Sequence, residues 1–499
     1  MAGQGITRRG MLAAGAALAA APALAAGRSV DPLLAMPARQ LAGLIAARKV
    51  GAEEVMRAAL AAIAAHNPAH NAIVQLRDGD ALIAEARAFD ARPTPGLLAG
   101  LPWAAKELQP VVGFRATQGS LAFKDVMARA DSIMVQRLRA AGVIMIGKTN
   151  APEFGLGSHT INRVFGATRN AWNLGRSAGG STGGGAVAVA LRLLPMVDGS
   201  DFGGSLRNPA AWNHVFGLRP SIGTVPQEGW ISGMGVTGPM ARTVGDLALL
   251  LSVQAGQHPD AYLSQPVDTA ALRGDLASNP KGLRIGWLGD WGGQVPHDPG
   301  VLALCQDALA AFRTMGCVVE DAAPGIAVEP VWQATQTLRS WSYGPQVQPL
   351  AENPATRDLI GPQARWEAEN GRGITGLQIS AAAQVRSGFT RAVEQLFGRF
   401  DVLVAPAVQI FPFPVEQLWP TRINGQDMRT YHEWQLGNFL ITMTGLPSLA
   451  APAGFGPDGL PAGIQIIGRR GGELALLKLA HAYEQAVQPL LAKRPPELA

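Results

Sequence analysis

Residues 179–205 read GGSTGGGAVAVALRLLPMVDGSDFGGS. The stretch holds two serines in glycine settings, Ser181 and Ser205, separated by a short Ala/Val helix and a return segment. Glycine lets a backbone approach a reacting atom closely and adopt angles that other residues resist. Two such loops around one helix–strand unit form two walls of a candidate active site.

Outward from this stretch, helical patterns alternate with short apolar strands. From Pro32 to about His66 apolar residues recur at three- and four-residue spacing, in ARQLAGLIAARKV and AEEVMRAALAAIAAHN. LPWAAK reads as a strand ending on a lone lysine, Lys106, and VIMI as a strand after a turn at Gly142. After Pro226 the chain reads as loop-rich, then helical in ARTVGDLALLLSVQAG. Residues 300–400 read as a mostly helical covering segment, and FDVLVAPAV, GLPSLAAPAGF and PAGIQIIGRR as late strands. This alternation predicts an α/β fold with its sheet buried on both faces. No repeat or low-complexity linker interrupts the chain after residue 30, so a single domain over 27–499 is expected.

With 499 residues, 47% hydrophobic and 16% charged, the chain can fill a large core and is unlike a disordered one. The net charge of +5 is mild for this length, and the one dense basic cluster is Arg8-Arg9, which argues against nucleic-acid binding. Those arginines precede an Ala-rich apolar run and the small-x-small pattern Ala23-Leu24-Ala25. Residues 1–26 therefore resemble a twin-arginine-type signal peptide, and export to the periplasm or medium is expected. The run is too short and too weakly apolar to favour a membrane anchor, so no stable membrane insertion is expected after cleavage. Monomer and homodimer both stay open. Cys305 and Cys317 could be bridged or free.

Three motifs compete. Gly142–Thr149 fits the phosphate-loop pattern, but its four intervening residues read as a strand and Pro152 follows, so no cofactor is expected. Gly179–Gly183 fits a nucleophile elbow around Ser181, which would require a downstream histidine; His432 and His481 are the late candidates. The third is the set Lys106, Ser181 and Ser205. A serine hydroxyl needs a base, and a lysine can serve if desolvation keeps it neutral. The glycines before Ser205 suit backbone amides aimed at an oxyanion. Each piece alone also has a bland reading, as a surface lysine or an ordinary turn. His66 and His70 sit four apart without a third ligand nearby, so no metal is expected.

Taken in order, LPWAAKE, GKTNAPEFGLGS, GGSTGGGAVAVA, DGSDFGGSLRNPAA and GLRPSIGTVP resemble the amidase signature family, densely over about 101–226 and more loosely to the end. The resemblance implies that family's fold, a large mixed twisted β-sheet covered by helices on both faces. It implies hydrolysis of a carboxylic amide through a Ser–cis-Ser–Lys triad. Lys106 matches the base, Ser181 the bridging serine after a cis peptide, and Ser205 the nucleophile. The backbone of Phe202, Gly203 and Gly204, with that of Ser205, matches the oxyanion hole. Thr182, Asp201 and Arg207 match supporting positions. The chain departs from the family pattern at Thr182, Ser200 and Asn213-His214, and the last pair makes substrate transfer from better-known members unsafe.

The expected partner is a small-molecule amide. Trp212, Phe411, Phe413, Trp419, Tyr431, His432 and Trp434 bias the late region toward either an aryl pocket or core packing. A serine esterase using Ser181 with a histidine, and a silent binding protein on the same scaffold, are the alternatives. The family's tRNA-dependent branch is disfavoured by the export signal.

Overall fold

The structure is a computed structural model that describes residues 30–93, 96–228 and 234–499. The expected signal peptide lies outside the described residues.

Two sheets carry the site. The smaller is built from β1 (Ile73–Val74), β2 (Pro102–Lys106) and β3 (Ile144–Thr149), with β2 parallel to β3 and β1 antiparallel to it. The larger has eight strands: β4 (Met196–Asp201), β5 (Phe216–Arg219), β6 (Val236–Ala241), β7 (Arg284–Trp287), β8 (Val318–Asp321), β9 (Val402–Pro406), β10 (Ser448–Phe455) and β11 (Pro461–Ile467). Their order is β8-β7-β9-β11-β10-β5-β6-β4. The pairs β8–β7 and β7–β9 are parallel and the remaining pairs antiparallel, which makes the sheet mixed. Every residue of β9 and β11 is buried. Successive strand residues point to opposite faces, so both faces are covered there.

The alternation read from the sequence places most of these strands, with one correction. Val236–Ala241, read as loop, is the strand β6. Its sequence VTGPMA carries the Gly-Pro pair that ordinarily punctuates a strand. Here Gly238 is what lets β6 pass its neighbour, since a Cβ there would lie 2.2 Å from the Leu218 carbonyl oxygen. Pro239 lies just beyond the β5–β6 ladder, which covers Phe216↔Ala241 and Gly217↔Met240. A second difference is in the covering segment: it contributes helices at Pro299–Asp307, Val328–Glu352 and Gly376–Leu396, and also β8 at the edge of the large sheet.

The helix Gly183–Ala190 is buried at every residue, as its GGGAVAVA sequence allows. Its glycines bring it onto backbone: a Cβ on Gly184 would meet Asn150 N at 2.4 Å and Ala72 O at 2.5 Å. The helix thus sits on the residues flanking β1 and β3. The helix Arg207–Trp212 is buried throughout as well. Asp198 on β4 ties the two sheets together, accepting from Trp103 Nε1 (3.0 Å) and from the Lys106 amide (3.2 Å).

Cys305 and Cys317 are free, buried thiols. His66 and His70 both meet the Glu497 carboxylate at 2.9 Å. Among the described residues no helix is long and apolar enough to cross a membrane.

Candidate active site

Lys106 is the last residue of β2 and is wholly buried. Its Nζ lies 2.8 Å from Ser181 Oγ, 2.9 Å from Thr182 Oγ1 and 3.0 Å from Ser200 Oγ, with the Ser200 carbonyl at 3.4 Å. Three hydroxyls and a carbonyl surround the amine, and among the described residues no carboxylate bonds it. Burial therefore dominates and pulls its pKa down to about 7, against the opposing pull of Asp198 and Asp201. A neutral amine has two N–H donors and one lone pair. Thr182 Oγ1 donates to the Ser200 carbonyl at 3.4 Å, which leaves its lone pairs free to accept from the lysine. The donors can then go to Thr182 and Ser200 while the lone pair faces the Ser181 hydroxyl, so a proton can pass from Ser181 to Lys106.

Ser181 follows a cis Gly180–Ser181 peptide. A tight cradle holds this turn. Asn208 Oδ1 accepts from the Gly180 amide (3.1 Å), Thr160 Oγ1 donates to the Gly179 carbonyl (2.8 Å), and the same hydroxyl accepts from the Gly183 amide (3.1 Å). Gly180 has no room for a side chain, since a Cβ would lie 3.0 Å from His159 N and Ser158 C.

Ser205 lies four residues past the end of β4, directly before the Arg207–Trp212 helix. Its carbonyl accepts from the Thr182 amide at 3.3 Å, which joins the two glycine loops. Among the described residues no hydrogen bond links the Ser181 and Ser205 hydroxyls. Exposure rises along the series, from Lys106 at 0% through Ser181 at 2% to Ser205 at 6%. The residue most open to a substrate is therefore Ser205.

The loop before Ser205 is braced by charge. Arg207 grips Asp201 in a bidentate pair, Nε to Oδ2 at 3.0 Å and Nη2 to Oδ1 at 2.9 Å. Arg219 Nη1 donates to the Asp201 carbonyl at 2.6 Å. Despite burial, Arg207 and Arg219 hold the Asp201 carboxyl far below the usual range. Asp201 in turn accepts from the amides of Gly204 (2.9 Å) and Leu206 (3.1 Å). The Gly204 amide is thus occupied, whereas those of Gly203 and Ser205 have no partner among the described residues. Gly204 takes a positive φ of 112°, and a Cβ on Gly203 would lie 2.2 Å from the Phe439 ring. The Phe202 ring lies 5.6 Å from that of Tyr343, with the Arg339 guanidinium 4.9 Å above it.

Other sequence candidates fall elsewhere. His432 is buried among Trp332, Trp366, Tyr431 and Phe439, with neither ring nitrogen bonded, and His481 bonds Glu484. Neither touches a serine of the site. Lys148 of the phosphate-loop pattern lies in β3 and pairs with Glu107 at 3.4 Å. The late aromatics divide. Trp212 stacks on Trp434 at 5.6 Å with Phe413 edge-on to both, which is core packing. Trp419 and Tyr431 line a cavity of about 490 Å³ with Trp366. Sequence reasoning missed Asp198, Asn208, Arg219, Gln465 and Asn438. Gln465 and Asn438 reach the site from 258 and 231 residues past Arg207, accepting from it through Oε1 and the backbone carbonyl. A signal for Arg219 existed in the motif GLRPSIGTVP.

An amidase family profile matches residues 54–477, most of the chain. The protein belongs to the amidase signature family. It is 34% identical to an acylamidase of Rhodococcus erythropolis, over 92% of this chain and 97% of that one. It is 33% identical to a glutamyl-tRNA(Gln) amidotransferase component from Chloroflexus aurantiacus, over 89% and 95% of the two chains. Among solved structures, a bacterial aryl acylamidase of the family superposes with a TM-score of 0.85 at 29% identity, covering 93% of this chain and 100% of that one. A 6-aminohexanoate cyclic dimer hydrolase superposes with a TM-score of 0.83 at 27% identity, covering 94% and 100%. This amidase is a hydrolase of carboxylic amide C–N bonds, and the mixed sheet described above is the family fold.

Proposed function

We propose that this amidase cleaves its substrate through a Ser205 acyl-enzyme, with Ser181 as proton relay and Lys106 as base. The observation that carries the reading is the buried Lys106 amine 2.8 Å from Ser181 Oγ, whose pKa burial pulls down to about 7 so that a neutral form is available near neutrality. Ser205 Oγ attacks the amide carbonyl carbon, and its proton passes to Ser181 as the Ser181 proton passes to Lys106. Catalytic hydrogen bonds commonly tighten only once substrate is bound, which accommodates the unlinked serine hydroxyls. The negative oxygen is received by the free amides of Gly203 and Ser205, with Phe202 at the edge of the loop. Gly204 is assigned a different task from the one the resemblance implies: its amide is held by Asp201 and fixes the loop. Collapse of the tetrahedral adduct breaks the C–N bond, and the relay returns a proton to the leaving amine. Water then attacks the ester by the same route and frees the acid and Ser205.

The substrate we propose is a small or medium amide with an aryl or apolar group. The aromatic residues beside the loop, Phe202, Tyr343 and Phe439, support this reading, as do the names of the acylamidase and aryl acylamidase relatives. Export by residues 1–26 remains part of the proposal, tested by sequencing the N-terminus of protein recovered from the periplasm.

A fluorophosphonate probe followed by peptide mass spectrometry tests the nucleophile. The adduct is expected on Ser205, and Ser205→Ala should abolish both labelling and turnover. An adduct on Ser181, or turnover that survives Ser205→Ala, overturns the assignment. Anilides should exceed aliphatic amides of equal length in kcat/KM; the reverse order removes the aryl preference.

A further inference from the structure

The helices Gly183–Ala190 and Arg207–Trp212 begin at the two serines. At their far ends lies a cavity of about 210 Å³, whose lining includes Arg192, His214, Arg242, Glu484, Lys493 and Arg494. Four cations and one carboxylate line it, and the buried Asp246 carboxylate also acts on Arg242. Arg192 donates to the Ala35 carbonyl (3.0 Å), Arg242 to those of Leu34 and Met36 (3.1 and 2.8 Å), and Arg494 to that of Leu491 (3.1 Å). Among the described residues none of these cations forms an ion pair. Glu484 is turned to the Val244 amide and to His481. The residues outside the described set contain no Asp or Glu, so no acid there can balance the charge.

Lys493 and Arg494 are exposed, and the Asp246 carboxylate acts on the partly buried Arg242, so Arg192 is the one buried member without a counter-charge among the described residues, a costly state. With Glu484 and Asp246 set against the four cations, and with the helix C-termini adding partial negative charge, about one positive charge is left uncompensated. Two polar atoms are also stranded: Arg192 Nε and His214 Nδ1 are buried without a partner. Their side chains are nine-tenths buried or more, at 6% and 9% exposed. His214 Nε2 faces the Leu490 carbonyl at 3.1 Å, so it carries the proton and Nδ1 presents a lone pair. Burial keeps that ring neutral, with its pKa down to about 4. Burial, with Arg242 and Arg494, likewise pulls Arg192 down to about 9.

We propose that this cavity binds a phosphate oxyanion, inorganic phosphate or the head of a small phosphate monoester. Its negative charge answers the excess of cations, and an acidic O–H answers His214 Nδ1. Hydrogenphosphate carries that O–H, whereas a monoester dianion does not. The site is separate from the triad and does not depend on the catalytic assignment.

The test is calorimetric titration of the purified enzyme with inorganic phosphate, and separately with glycerol phosphate, at constant ionic strength in chloride. Saturable binding is expected, accompanied by a rise in Tm. Lys493→Gln and Arg494→Gln change exposed side chains and should each weaken binding about tenfold while leaving amide turnover unchanged. Arg192→Gln should weaken it at least as much; if that variant does not fold, the Lys493→Gln/Arg494→Gln double variant carries the test. Tighter binding of inorganic phosphate assigns the free anion, and tighter binding of glycerol phosphate assigns a monoester. No saturable heat beyond that of chloride, or equal binding by the double variant, overturns the proposal and leaves the cations as helix caps.

Discussion

Two buried lysines stand on adjacent strands of the small sheet, Lys106 on β2 and Lys148 on β3, and both are fully buried. Their neighbours differ. Lys148 donates to the carbonyls of Glu107 (2.7 Å) and Arg115 (3.3 Å) and pairs with the Glu107 carboxylate. That carboxylate is held in turn by Thr117 Oγ1 (2.6 Å) and Gln75 Nε2 (2.9 Å). Lys106 has three hydroxyls and a carbonyl where Lys148 has a carboxylate and carbonyls. Burial lowers the pKa of both; at Lys148 the directly bonded Glu107 carboxylate opposes the shift, whereas at Lys106 Asp198 and Asp201 oppose it without bonding the amine. The same side chain at the same depth thus has a carboxylate partner in one place and only hydroxyls and a carbonyl in the other. Burial sets the cost of charge, and the partner decides whether it is met.

The largest break in this comparison should come from Lys106→Ala. Turnover is expected to fall by about 10²–10⁴-fold with circular dichroism and Tm showing a retained fold. Lys106→Arg should not restore it, because a guanidinium does not deprotonate; restored turnover would remove the base from the mechanism. Lys148→Met should act on the other axis. It strands the buried Glu107 carboxylate and should cost about 3–5 kcal/mol of stability, read by denaturant unfolding, while turnover per folded molecule is retained. Loss of turnover in a stably folded Lys148→Met protein would erase the distinction between the two lysines.

The pH profile sharpens the contrast. The folded pKa of Lys106, about 7, lies below its ordinary value. The active neutral form therefore dominates above that pH and is lost as pH falls through it. At pH 6 about a tenth of the lysine is neutral, so kcat/KM should fall on the acid side with an apparent pKa near 7. A rate flat from about pH 8 to 5 would count against a neutral-lysine base. Thr182→Val should have the smallest effect. It removes one acceptor of the Lys106 ammonium, costing about 1 kcal/mol or severalfold in kcat/KM, and should move the acid limb to lower pH because the charged form loses a partner. A limb that stays in place would mean Thr182 does not bond the amine during turnover.

Much of the fold and the site is legible in the residues. The alternation of helices and strands places β2, β3, β9, β10 and β11. The ordered motifs select Lys106, Ser181 and Ser205, and the structure brings Lys106 to Ser181. Strand β6 is not legible, because its Gly-Pro pair reads as a turn unless the neighbour's carbonyl is known to need that gap. Gly204 is grouped with the oxyanion donors because sequence shows glycines but not where an amide points; the turn aims that N–H at Asp201. The aromatic bias of the late region is visible, yet its division between core and cavity is not, since composition carries no direction.

By itself the sequence determined the local chemistry: glycines where backbones approach, hydroxyls at the two loops, and an apolar run ending on a lysine. These depend on residue type and near neighbours. Only the tertiary structure decided which hydroxyl meets the lysine, which amides stay free, and that Arg192 beyond the first helix is buried without a counter-charge. Those outcomes depend on contacts between residues 75 to 258 positions apart. Electrostatic cost depends on such distances and on burial, and a linear order of residues does not contain either.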